Sequence, residues 1–246
     1  MKRVFAAFLM LTSAFLGPHF ARAESVDLEL LLAVDASGSV NDRELALQIG
    51  GIADAFRDPE VHEAIASGPL QRIAVAIMIW GEARSHKPVS RWMLVDGPAT
   101  ANVFAELAMD QIARRRSYVG KSGTGIGAAI GKGLIELKRN EYDGTRRAID
   151  VSGDGHETPL MFGEAMALPE AHRRASRADV IINGLAILSD DPNLETYYAA
   201  RVALGPGSFV LAAADFEDFG RAMKLKLLRE IRQLIGSLDT GRAAPL

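Results

Sequence analysis

The stretch "LLLAVDASGSVND", Leu30 to Asp42, decides the fold. Its continuous apolar run up to Val34 reads as a strand buried on both faces, since a half-buried strand would alternate with polar residues. The run stops on Asp35, and hydroxyls follow at Ser37 and Ser39 with small residues between them. Asn41, with Glu44 three residues on, reads as the N-cap of a helix from Asp42 to Phe56. That helix carries apolar residues at Leu45, Ile49, Ile52 and Phe56. Capping explains Ser39 to Glu44, and turn chemistry could occupy Asp35. The alternative is that one carboxylate and two hydroxyls at alternate positions are oxygen ligands for a hard cation.

Outward from this stretch, strand-like and helix-like segments alternate. Strands are expected at Asp27–Val34, Arg72–Trp80, Arg147–Val151, Val180–Leu188 and Ser208–Ala213, with a short strand at Trp92–Val95 placed to pair antiparallel. Helical spacing recurs over 101–114, 126–138, 163–177 (with Pro169 expected to kink or split it), 194–202 and 216–234. The alternation predicts an α/β fold with a mainly parallel sheet and helices on both faces. In such sheets a binding site forms at the carboxyl ends of the strands, where the strand order reverses. Two polar clusters follow strands, at 35–39 and 152–157.

The N-terminus differs from the rest. Met1-Lys2-Arg3 is basic, Val4 to Gly17 is apolar, and Ala21-Arg22-Ala23 supplies small residues at a cleavage site, the pattern of a Sec-type signal peptide. The apolar run is short for a membrane span. The expected organisation is a signal peptide at 1–23, one domain at 24–238 and a flexible C-terminal tail at 239–246, in a periplasmic or secreted protein without stable membrane insertion after cleavage. Removing residues 1–23 takes away Lys2, Arg3 and Arg22 and no acid, leaving 25 basic and 31 acidic residues and a net charge of −6. An acidic domain is a poor general partner for nucleic acid, and the basic run Arg114-Arg115-Arg116 with Lys121 is local. The chain has no cysteine, which excludes thiolate nucleophiles, cysteine zinc sites and iron–sulfur clusters.

Two further clusters carry chemistry. In "SGTGIGAAIGKG", Ser122 to Gly133, Gly123-x-Gly125-x-x-Ala128 matches a dinucleotide fingerprint formally, but no strand immediately precedes it. A phosphate-binding Walker loop fails at Ile126 and Gly133. Thr124 is then either an N-cap or a further hydroxyl ligand. In "DVSGDGHE", Asp150 to Glu157, Asp154 sits between glycines just past a strand. A zinc-protease reading of His156-Glu157 fails because position 160 is Leu160, so His156 is expected at the rim. A haloacid dehalogenase-type phosphatase needs a second aspartate where Ser37 stands. Neither Ser37 nor Ser152 lies in a G-x-S-x-G elbow.

Taken together, Asp35-x-Ser37-x-Ser39, Thr124 in a glycine-rich loop, and Asp154-Gly155 after a later strand resemble the metal ion-dependent adhesion site of von Willebrand factor A (vWA) domains. The likeness spans Val26 to Leu234 and is greatest to a secreted bacterial branch of unknown function. It implies a Rossmann-like, doubly wound six-stranded sheet with one short antiparallel edge strand. It also implies a divalent cation, magnesium first and manganese or calcium as alternatives, held by Asp35, Ser37, Ser39, Thr124 and Asp154. Ser37, Ser39 and Thr124 would contact the ion directly or through water, while the two aspartates supply charge largely through water. The partner would be a protein offering an Asp or Glu carboxylate to an open coordination position. Binding rather than catalysis is expected. The alternatives are a metal-dependent hydrolase built on the same cluster, or a structural subunit whose metal only stabilises loops. Ser152-Gly153 departs from the bulkier residues common before the last aspartate in this family.

Overall fold

The computed structural model describes residues 23–114, 123–158 and 165–240. The signal segment, Arg115, Arg116, Lys121, Ser122 and the last six residues lie outside these. Six strands, β1 (Glu24–Asp35), β2 (Ile73–Trp80), β3 (Met93–Val95), β4 (Tyr142–Gly153), β5 (Ile181–Ile187) and β6 (Val210–Ala213), form one sheet in the order β3-β2-β1-β4-β5-β6. Every pairing is parallel except β2 with β3. From β1 the chain first builds outward through β2 to β3. It then returns to the other side of β1 with β4. The order therefore reverses between β1 and β4, and a crevice opens at their carboxyl ends.

Alternation along the strands divides the core in two. Leu28, Leu30, Leu32 and Val34 of β1 face one helix layer: α1 (Asp42–Arg57), α2 (Pro59–Ala66), α3 (Pro98–Arg114) and α7 (Phe219–Thr240). Leu31 and Ala33 face the other: α4 (Ile126–Arg139), α5 (Leu168–Arg177) and α6 (Leu194–Arg201). Burial on both faces is why β1 and β2 read as unbroken apolar runs.

Several boundaries differ from the sequence expectation. β1 and β4 extend further towards their N-termini, where polar side chains are paired rather than excluded. Buried Asp27 accepts the Leu70 N–H, and buried Glu29 accepts the Gly144 N–H at 2.7 Å. α2 went unanticipated because its eight residues bury only Val61, Ala64 and Ile65. Pro169 lies in the first turn of α5 and starts that helix instead of kinking it, since a missing N–H costs nothing there. α7 spans Phe219–Thr240, where a helix over 216–234 was expected. No helix among the described residues is long and apolar enough to cross a membrane.

The α1 cap is a full capping box. Asn41 Oδ1 accepts the Glu44 N–H at 3.0 Å, and Glu44 Oε2 accepts the Asn41 N–H at 2.7 Å. Asn41→Ala is expected to lower stability by about 1 kcal/mol, read as a shift of the urea midpoint at unchanged slope. A change below a quarter of that size would mean that the box is idle in solution.

Candidate metal centre

β1 ends at Asp35, whose carboxylate is fully buried. The chain turns at once, and the Ser37 N–H donates to Asp35 Oδ1 at 2.7 Å. The turn thus uses one carboxylate oxygen. The other, Oδ2, is buried and has no hydrogen-bond donor. Ser37 is buried and Ser39 exposed, so the loop climbs from the sheet edge to the surface. Their hydroxyls lie 3.2 Å apart, and Ser39 Oγ donates to Asp154 Oδ1 at 2.9 Å, across 115 residues of sequence. Asp35, Ser37, Ser39 and Asp154 therefore form one continuous group above the β1–β4 junction.

Thr124 joins them through backbone contacts. Gly125 packs so tightly on the loop after β2 that a Cβ there would meet Ala83 Cα at 2.5 Å, and its N–H donates to the Gly81 carbonyl at 2.9 Å. That loop is built around Lys87, whose buried ammonium donates to the carbonyls of Glu82, Ala83 and Ser85. Burial lowers the Lys87 pKa, while Glu82 and Glu157 oppose the shift. On the other side the Thr124 N–H donates to Thr158 Oγ1 at 2.8 Å, and the Thr158 N–H to the Thr124 carbonyl at 2.9 Å. Thr124 Oγ1 comes within 3.3 Å of the position a Cβ on Gly155 would occupy, beside Asp154.

The N-cap alternative for Thr124 does not hold. Gly125 is the N-cap of α4, and no side chain of its own caps it. Glu157 does that work from the β4 loop, accepting the Gly127 N–H at 3.1 Å. The Thr124 hydroxyl is left available, and Glu157 ties the 154–158 loop to the start of α4. His156 sits at the rim, half exposed, stacked on Tyr197 at 4.0 Å and 2.8 Å from Asp191.

The electrostatics are those of a site lacking positive charge. Burial, and then Asp154, push the Asp35 carboxyl up to about 7. Asp154 is raised by burial and by Asp190 and Glu44, against the Ser39 hydrogen bond. The charges that raise both groups are themselves carboxylates. A divalent cation fits this set: every donor is oxygen, two carboxylates face one another, and Asp35 Oδ2 is an orphaned acceptor. Among the described residues there is no group of three or more His, Cys, Asp or Glu that could hold a metal ion. The acids here number two and the rest are hydroxyls.

Two residues of this centre went unnoticed in the sequence. Gln48 of α1 is fully buried, and its Nε2 donates to the Asp35 carbonyl at 3.0 Å while its Oε1 lies 3.4 Å from Ser152 Oγ. A polar residue on the Leu45–Ile49 stripe was the available signal. Tyr198 of α6 is also fully buried, with its hydroxyl unpaired.

Sheet order and helix layers define a vWA-like fold, and solved structures agree. The chain is similar to the pilus adhesin SpaC from Lactobacillus rhamnosus GG (TM-score 0.53, 11% identity, covering 86% of this chain and 31% of that one). It is similar to the vWF domain of the type V pili tip protein Mfa5 from Porphyromonas gingivalis (TM-score 0.50, 10% identity, 90% and 98%). It is also similar to proximal thread matrix protein 1 from the mussel byssus, in a structure with a zinc-occupied MIDAS motif (TM-score 0.51, 13% identity, 86% and 50%). The chain spans half or less of the adhesin and the matrix protein. No curated protein matches the sequence. More particularly, the chain belongs to the family described as "Protein of unknown function (DUF1194)", whose model matches residues 25–235.

Proposed function

We propose that this is an exported vWA-like protein that binds a partner protein through a divalent cation, magnesium first, held by Asp35, Ser37, Ser39, Thr124 and Asp154. The observation that carries this reading is the convergence of two desolvated carboxylates and the serine hydroxyls at the strand-order reversal, with an unpaired Asp35 Oδ2 at its base. Three neutral hydroxyls leave a bound divalent ion with uncompensated positive charge. An incoming Asp or Glu carboxylate from a partner gains a strong interaction there, because the site excludes water on its sheet side. The residues of this chain hold and orient. Ser37 N–H fixes Asp35, Ser39 bridges to Asp154, and the two hydrogen bonds between Thr124 and Thr158 set the third hydroxyl. The pilus and byssal relatives support a binding role in kind. We further propose cleavage after Ala23 and a mature domain over 24–238, active in the periplasm or outside the cell.

The test is a pull-down from the native extracytoplasmic fraction with the protein as bait. Capture of a partner should require added Mg²⁺ or Mn²⁺, disappear with EDTA, and disappear with Asp35→Ala. A partner retained through both treatments would refute metal-mediated adhesion. Turnover of a phosphoester or peptide, lost in the same variant, would replace it with the hydrolase reading.

A further inference from the structure

α6 lies unusually close to the sheet. A Cβ on Gly184 of β5 would meet Tyr198 Cδ1 at 2.8 Å, and a Cβ on Gly153 of β4 would meet the Tyr198 hydroxyl at 2.6 Å. Glycine weakens a strand interior, so two of them on adjacent strands mark a close approach that the fold requires. Together they form a trough in which the tyrosine ring lies. The trough ends at the metal centre, because the same Cβ position on Gly153 lies 2.8 Å from Asp35 Oδ2. Two buried oxygens thus approach one point from two elements. One is a donor without an acceptor and the other an acceptor without a donor. Leaving both unpaired is costly, and a modest movement of the phenol or one bridging water satisfies both.

We propose that Tyr198 is a positioning residue of the metal centre, its phenol O–H donating to Asp35 Oδ2 and fixing the carboxylate for the cation. This rests on the metal-binding reading above. With Ser37 N–H on Oδ1 and Tyr198 on Oδ2, rotation of the carboxylate is locked from both sides. A neutral donor does this without adding charge, so the ion keeps its attraction for an incoming carboxylate. Outer partners of this kind typically contribute about 10–100-fold to metal affinity. Gly153 then has a reason: any side chain there would stand between the two oxygens.

The experiment is calorimetric titration of Mn²⁺ and Mg²⁺ into the full chain, Tyr198→Phe, and, as a control, Tyr142→Phe at the opposite end of β4. Tyr198→Phe keeps the ring in its trough, so the variant should stay folded with a metal-free melting temperature only modestly below that of the wild type, while its metal Kd rises about 10–100-fold. Tyr142→Phe should leave Kd unchanged. In the wild type, Mn²⁺ should also perturb the near-ultraviolet tyrosine absorption, and the perturbation should be missing in Tyr198→Phe. A Tyr198→Phe Kd equal to that of a metal-binding wild type would overturn the role of Tyr198 alone. A wild type that binds neither ion would overturn the metal centre and this role together. A wild type that binds metal with no tyrosine perturbation would count against Tyr198 whatever the variant does.

Discussion

Asp35→Asn is expected to stabilise the metal-free protein at pH 8 and to abolish its response to divalent cations. Asparagine keeps an acceptor for the Ser37 N–H and removes a buried charge that faces Asp154. The Asp35 carboxyl titrates near 7 in the fold against 3.8 as its ordinary value. The folded state therefore holds an extra proton between those values. The contribution of this group is intact below the lower value and is lost as pH rises through about 7. Melting temperatures of the metal-free wild type should fall from pH 5 to pH 8, and Asp35→Asn should flatten that decline. The energy at stake is on the order of 1–4 kcal/mol. A cation reverses the sign for the wild type by pairing with the ionised carboxylates. At a hundred times its Kd it would add about 2.7 kcal/mol. The measurement is a melting series over pH with and without Mg²⁺. If metal-free wild type and variant decline in parallel, Asp35 is not the group that titrates. An unchanged Mg²⁺ response in the variant would place the cation elsewhere.

The chemistry of the centre was more legible in the sequence than its support. Asp35, Ser37, Ser39 and Asp154 follow strands that are apolar on both faces, and such runs stand out in any sequence. Alternation of strands and helices is enough to bring their ends to one sheet edge. Thr124 was ambiguous because a threonine before a helix can always be a cap. The ambiguity is resolved by Glu157, which caps α4 from a different loop. The first residues of β1, Glu24 to Val26, and the outer half of β4, Tyr142 to Arg146, were missed because polar residues there are matched by partners distant in sequence, such as Arg146 with Glu230. Tyr198 was missed for a related reason. Nothing near it in sequence marks a tyrosine whose hydroxyl reaches β4, and only the two strand glycines hint at the space it needs. In "RAIDV" the acidic Asp150 interrupts an apolar strand, and in "MKLKLLREI" Lys226 interrupts an apolar helix face. Each looks like an error of patterning until the two are seen together.

They meet on the α7 side of the sheet, where Lys226→Met is expected to cause the largest loss of stability of any substitution considered. Lys226 Nζ and Asp150 Oδ1 lie 2.5 Å apart, both groups essentially inaccessible to water. The contact is an ion pair by distance, without the alignment of a hydrogen bond. Glu230 is buried beside them, with Arg146 Nη2 at 2.6 Å and Asn183 Nδ2 donating at 2.5 Å. Burial, then Asp150, push the Glu230 carboxyl up to about 7, while Lys226 and Arg146 oppose the shift. Methionine fills most of the lysine volume, so packing against Phe209 is largely kept. What is lost is the charge that compensates Asp150. Breaking one partner of a buried pair costs about 3–5 kcal/mol, because the other charge stays behind. The variant should show a lower urea midpoint, and the deficit should shrink as pH falls from 8 to 5. Glu230 is already raised to about 7 and loses the Lys226 that opposes the shift, so its contribution is full at low pH and progressively lost as pH rises. Removing both members separates charge from packing. Asp150→Leu combined with Lys226→Met should recover most of the loss, since apolar replacements of buried pairs are often neutral or better. A double variant as unstable as the single one would locate the cost in α7 packing instead. A single variant within about 1 kcal/mol of wild type would mean that the Lys226–Asp150 pair contributes little net stability.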